Sequence, residues 1–191
     1  MRSPFTSISA KIESWTARKE LTALLTVLDP KAADLILDVG AGYGWVADQV
    51  GHICSEVVAL EPDKERAGQM RRSHPSLAVI SGVGEVLPIR TSIFDKVYLR
   101  RSFHHLTDQE KTLKEIDRAT KPSGSLLIQE LSPDRRGNVI SSAERLLRGV
   151  HVDFLSSADL KTKLERQGFL VKVTKPAVAG YFLVAVKKSE T

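Results

Sequence analysis

LILDVGAGYGWVADQV, residues 35–50, decides how this chain is read. A short apolar run, Leu35–Asp38, has the look of a buried strand and ends in an acid. Gly40, Gly42 and Gly44 follow within five positions, and the apolar spacing of a helix begins after them. Strand, glycine turn and helix together form the usual frame of a nucleotide-binding loop. A dinucleotide loop needs a further glycine so that helix and strand can pack closely. Trp45 stands at that position. Asp38 would repel a pyrophosphate but suits a ligand that carries positive charge. No Gly-Lys-Ser/Thr follows, so the loop is not a P-loop.

The same alternation continues on both sides. Ile8, Ile12, Trp15, Leu21, Leu24, Leu25 and Leu28 recur at helical spacing, which predicts a helix over 8–28 ended by Asp29-Pro30. After the strand Leu35–Asp38 a helix is expected over Tyr43–Ile53. Glu56–Leu60 reads as a second strand, and Pro62–Ser73 as a helix with proline at its first position. Leu77–Ile80 and Asp95–Arg100 read as the third and fourth strands. Thr107 with Glu110 suggests a capping box opening a helix over Thr107–Thr120. Ser125–Leu131 is the fifth strand. Residues 156–167 read as a helix capped by Ser157. Phe169–Thr174 and Tyr181–Lys187 are strands joined too tightly for a helical crossover, so they should pair antiparallel. Strands alternating with helices imply βαβ units and a mostly parallel sheet.

The chain has 191 residues, 42% hydrophobic and 27% charged, which suits one globular domain. The expected division is an N-terminal helical cover (1–30), a core (33–131), an irregular segment (132–155), and a C-terminal helix with the strand pair (156–191). The irregular segment follows the fifth strand, at the sheet edge where open α/β folds place ligands. Cys54 is the single cysteine, so no intramolecular disulfide or cysteine-cluster metal site is expected. No membrane span and no secretory leader are read, and a cytoplasmic location is the simplest expectation. Residues 1–95 hold 10 Lys/Arg and 12 Asp/Glu, while residues 96–191 hold 18 and 11. The basic half allows an anionic partner, although a solvated surface is the simpler reading.

The motifs themselves resemble a known family. D-V-G-A-G-Y-G is similar to the first motif of class I S-adenosylmethionine-dependent methyltransferases. Glu61, ending EVVALE, resembles the acid that receives both ribose hydroxyls there. S-G-V-G-E-V-L-P-I (81–89) resembles G-D-A-E-x-L-P-F. S-I-F-D-K-V-Y-L-R-R-S-F-H-H-L (92–106) resembles S-F-D-x-V, a strand, and His-His-Leu. E-I-D-R-A-T-K-P-S-G-S-L-L-I (115–128) resembles E-x-x-R-V-L-K-P-G-G-x-L-x-I. The segments run in order over about residues 33–130. They are similar to the small-molecule subgroup that includes the ubiquinone/menaquinone-type C-methyltransferases.

The resemblance implies a Rossmann-like, doubly wound α/β fold. Its sheet would be seven-stranded and mostly parallel, with an antiparallel C-terminal strand and helices on both faces. It implies S-adenosyl-L-methionine as cofactor and S-adenosyl-L-homocysteine as product. Asp38, Gly40, Ala41, Gly42, Tyr43, Gly44, Glu61, Pro62, Val83, Gly84, Glu85 and Arg100 are the implied cofactor residues. Val83 replaces the family's aspartate, so adenine recognition should rest on backbone near Gly84 and Glu85 and on packing by Pro62 and Val83. One lost polar contact costs on the order of 1 kcal/mol. Asp38 would hold the cofactor's ammonium indirectly or cap local amides. Tyr43 would approach the methionine moiety or shield the loop, and Trp15 would cap the cleft or join the core.

Methyl transfer is an in-line displacement that depends mainly on positioning. His104 and His105, after the fourth strand, are the catalytic-base candidates. Glu130, Arg101, Arg148 and His151 are the candidate acceptor contacts. Arginines near the fourth strand's exit suggest a small acceptor with an acidic group. No metal site is expected, and either a monomer or a homodimer suits the chain. His52 and His74 read as surface residues. Three rivals stand behind this reading: a nicotinamide-dependent oxidoreductase, a catalytically silent S-adenosylmethionine-binding regulatory module, and an RNA methyltransferase using the basic half.

Overall fold

The computed structural model describes residues 18–133, 154–177 and 180–188. Its seven strands are β1 (Leu35–Val39), β2 (Glu56–Glu61), β3 (Ala78–Ser81), β4 (Phe94–Arg100), β5 (Thr120–Leu131), β6 (Phe169–Ala177) and β7 (Gly180–Lys187). They form one sheet in the order β3-β2-β1-β4-β5-β7-β6. Neighbours from β3 to β5 are parallel, and β7 runs antiparallel to both β5 and β6. The expected doubly wound sheet is therefore present.

Among the described residues, five helices cover its faces: α1 (residues 18–28), α2 (Trp45–Gly51), α3 (Lys64–Ser73), α4 (Gln109–Ala119) and α5 (Ser157–Arg166). On one face Leu24 and Leu28 of α1, Val46 and Val50 of α2, and Met70 of α3 pack against Ile36, Tyr98, Leu127 and Phe182. On the other, Leu113 and Ile116 of α4 and Leu160 and Leu164 of α5 pack against Leu37, Val97, Leu99 and Ile128. Both faces of β1 are thus covered, which explains why its sequence is apolar rather than alternating. Each such leucine or isoleucine contributes roughly 1.5–3 kcal/mol by leaving water.

The helix ends differ from the sequence expectation. α2 starts at Trp45 rather than Tyr43, because Gly40, Gly42 and Gly44 all take positive φ and carry the turn two residues further. A side chain at Gly44 would lie 2.5 Å from Met70 Cγ, so this glycine lets α2 approach α3. Pro62 precedes α3, and Asp63 is its cap, accepting the N–H groups of Glu65 and Arg66. Asp108 caps α4 through the Lys111 N–H, and the Thr107 N–H goes to Glu85 instead. Ser156, not Ser157, caps α5. β5 begins at Thr120, and its pairing with β4 shifts register after Phe94. The domain divisions at 1–30 and 132–155 fall largely outside the described residues, as does Trp15.

The strand order reverses between β1 and β4, with β2 and β3 to one side and β5 to the other. In open α/β sheets the carboxyl ends of the strands at this reversal leave a crevice.

Candidate active site

A cleft of about 620 Å³ occupies this crevice. That volume suits a small ligand. Its floor is the β1–α2 loop. The N–H groups of Gly40 and Ala41 both donate to the Leu60 carbonyl, at 2.8 and 3.0 Å, and tie the loop to the end of β2. Ser102 Oγ donates to the Val39 carbonyl at 2.6 Å, and a side chain at Gly40 would collide with Ser102 Cβ at 2.5 Å. Nothing lies within 4 Å of the position a Gly42 side chain would take, so the loop is bare at that point.

Two buried carboxylates face this loop. Glu61 is 3% exposed. Its Oε2 accepts the Gly42 N–H at 2.8 Å and its Oε1 the Asp63 N–H at 3.2 Å, so the group is fixed in place. Asp38, also 3% exposed, accepts the Tyr98 hydroxyl at 2.7 Å. Burial pushes the Asp38 carboxyl up to about 7; Tyr98 and Arg100 oppose that shift and Glu61 adds to it. Burial likewise drives the Tyr98 phenol well above its usual value, with the Asp38 charge adding to it.

Of the residues expected to hold the cofactor, Asp38, Gly40, Ala41, Gly42, Tyr43, Glu61, Pro62, Val83, Gly84, Glu85 and Arg100 all line the cleft. Gly44 does not; its role is the α2–α3 approach. Glu85 also accepts the Thr107 and Asp108 N–H groups, at 3.0 and 3.1 Å, and so fixes the entrance to α4. Tyr43, Trp45 and Val83 present exposed apolar surface around the cleft.

The two histidines separate. His105 lines the cleft, whereas His104 is buried behind it in a 3₁₀ turn (Phe103–His105). His104 Nδ1 lies 2.6 Å from Glu130 Oε1, and the His104 N–H donates to Glu130 Oε2. Glu130 Oε1 also accepts the Leu131 N–H at 2.8 Å. Glu130, expected to meet an acceptor, is 2% exposed, is not among the residues lining the cleft, and partners His104. The His104 ring packs against the rings of His105 and Phe154, with centroids 4.1 and 4.5 Å apart.

Arg101 lines the cleft beside Arg100, but neither is a free cation. Glu20 of α1 receives Arg100 Nη2 at 2.8 Å and Arg101 Nη2 at 2.5 Å. Burial pulls the Arg101 guanidinium below its usual value, and Glu20 opposes that. Arg148 and His151 lie outside the described residues. His74, read as a surface residue, is half-buried: its Nδ1 is 3.2 Å from Asp48, joining α3 to α2. Sequence reading passed over Glu20, although it shares a helix face with Leu24 and Leu28 at spacing four, where a charge is out of place. Among the described residues, no cluster of His, Cys, Asp and Glu is arranged to hold a metal, and no helix is long and apolar enough to cross a membrane.

This fold is shared with solved S-adenosylmethionine-dependent methyltransferases. The family model described as "Methyltransferase domain" matches residues 37–128.

The chain is 27% identical to a probable S-adenosylmethionine-dependent methyltransferase of Mycolicibacterium smegmatis, over 73% of this chain and 53% of that one. It is 31% identical to the demethylmenaquinone methyltransferase of Renibacterium salmoninarum, over 51% of this chain and 41% of that one. It thus spans about half the length of these curated relatives. A chain from the complex of the Haloferax volcanii Trm112 methyltransferase activator with a methyltransferase superposes with a TM-score of 0.78 at 18% identity, covering 98% of this chain and 99% of that one. At that identity the likeness is one of fold.

Proposed function

We propose that this chain transfers the methyl group of S-adenosylmethionine to a small-molecule acceptor. The observation that carries the reading is Glu61, a buried carboxylate held by the Gly42 and Asp63 amides across from a bare glycine loop. A fixed acceptor pair of this kind suits a ribose diol. The apolar surfaces of Tyr43, Trp45 and Val83 suit an adenine and a thioether chain. Asp38 suits a positive charge. When bound, the cofactor supplies an electrophilic methyl carbon on a sulfonium; the acceptor's electron pair takes the methyl and the C–S electrons return to sulfur.

The chain's own work is to hold the acceptor in line and to take its proton where it has one. His105 is the residue we assign to that proton, since it faces the cleft while His104 is committed to Glu130. His104, itself held by Glu130, positions it by ring packing. An acidic acceptor group would meet Arg101 only alongside Glu20, so the case for an anionic acceptor rests on a paired cation.

Calorimetric titration with S-adenosylmethionine, S-adenosylhomocysteine and NAD tests the reading. The first two should bind, and Glu61→Ala should weaken both by about tenfold or more. Binding of NAD instead, or unchanged affinity in Glu61→Ala, would sink it.

A further inference from the structure

Neighbouring residues of a strand point to opposite faces, so Arg100 and Arg101 should diverge. They converge on one carboxylate instead. Arg101 leaves β4 with φ of 52°, a left-handed conformation that side chains other than glycine rarely take. Its N–H still donates to the Gln129 carbonyl at 2.8 Å, so the turn is anchored to β5. The turn brings both guanidinium groups to Glu20, itself 5% exposed on α1. Backbone strain maintained at a cleft wall is a pointer to function.

The pair has donors to spare. A guanidinium carries five N–H groups, and Glu20 takes one Nη2 from each arginine. Arg100 Nε is buried without a partner. Two cations against one carboxylate leave the Arg100–Arg101–Glu20 cluster with one net positive charge. Arg100 shares a strand face with Tyr98, whose hydroxyl holds Asp38, and Arg100 and Asp38 both line the cleft. An α-amino acid carries its ammonium and carboxylate on one carbon. A site for it therefore needs an acid and a guanidinium side by side, and these two residues supply them.

We infer that Glu20 is a positioning residue that holds Arg100 and Arg101 together as the dock for the carboxylate of the cofactor's amino-acid end. The inference rests on the proposed function. It moves Arg101 from the acceptor to the cofactor, and it makes the α1 helix part of the cofactor site.

The test compares two nucleosides on the full chain by calorimetry. S-adenosylhomocysteine carries the amino-acid end; 5′-methylthioadenosine keeps the adenosine and thioether but lacks it. Glu20→Gln should weaken the first by about tenfold and change the second by less than about twofold. A merely structural role for Glu20 would weaken both alike, and that result, or no change in either, overturns the inference. If the wild-type chain binds neither nucleoside, the proposed function falls and this inference with it. Should circular dichroism show Glu20→Gln to be unfolded, Arg101→Lys is read in the same two titrations. It keeps the cation but breaks the planar fork, and the same selective loss is expected.

Discussion

Two clusters of acid and arginine flank the sheet, one on each face. On the α4 side, Arg118 donates to both oxygens of Glu115, at 2.9 and 2.8 Å, and also to the carbonyls of Ile89 and Leu87. Glu115 in turn accepts the Leu87 N–H at 2.9 Å. On the α1 side, Arg100 and Arg101 meet Glu20, and among the described residues no backbone carbonyl accepts from either guanidinium. The first cluster spends its donors on fastening the loop between β3 and β4. The second keeps donors in reserve at a cleft. Both would be counted as salt bridges, but what the remaining N–H groups face separates a staple from a binding site.

The contrast breaks if the two clusters respond alike to removal of their acid. Glu20→Ala leaves two guanidinium groups, 23% and 35% exposed, without their counter-charge. Stripping one partner from a buried pair is costly, and a loss of about 3 kcal/mol is expected in denaturant unfolding. Glu115→Ala removes a more exposed carboxylate whose arginine retains two carbonyl partners. The expected loss is about 2 kcal/mol, mainly from the orphaned Leu87 amide and the weakened loop. Added salt should shrink the Glu115 effect more than the Glu20 effect, because screening acts on exposed charges first. Equal losses with equal salt dependence would show that burial does not distinguish the clusters.

Glu115 and Arg118 lie one helical turn apart, so their pairing is a local feature, although in the sequence the E-x-x-R spacing reads only as part of a family motif. The parallel core and the glycine loop were visible because hydrophobic runs, glycines and turns are local signals. Glu20 meets residues eighty positions away, and only folding brings them together. The same holds for His104 and Glu130, which the sequence offered as separate candidates and the structure joins into one buried pair. The helix caps missed by one or two residues because Asp63, Asp108 and Ser156 compete with neighbours that have similar capping chemistry. Asp38 was legible as an acid beside the loop, but its burial under Tyr98 was not.

That burial gives the smallest and sharpest prediction. With its carboxyl near 7, Asp38 is about half protonated in neutral solution. Its folded pKa is raised above the unfolded value, so its stabilising contribution is greatest below about 4 and is lost as pH rises toward 7. Asp38→Asn should remove that component, seen as the difference between the two chains' unfolding free energies across the same window. A cationic ligand needs the ionised form, so its affinity should move the other way. S-adenosylmethionine should bind the wild type about tenfold more weakly at pH 6 than at pH 8. The neighbouring groups of opposite sign narrow the interpretation: Arg100 favours ionised Asp38 and Glu61 disfavours it. Calorimetry in buffers of different ionisation enthalpy should register proton release on binding at pH 6.5, absent in Asp38→Asn. Binding that is pH-independent in both chains would show that the Asp38 charge plays no part in receiving the cofactor. The charge at this end of the cleft would then be set by Glu20 and the two arginines alone.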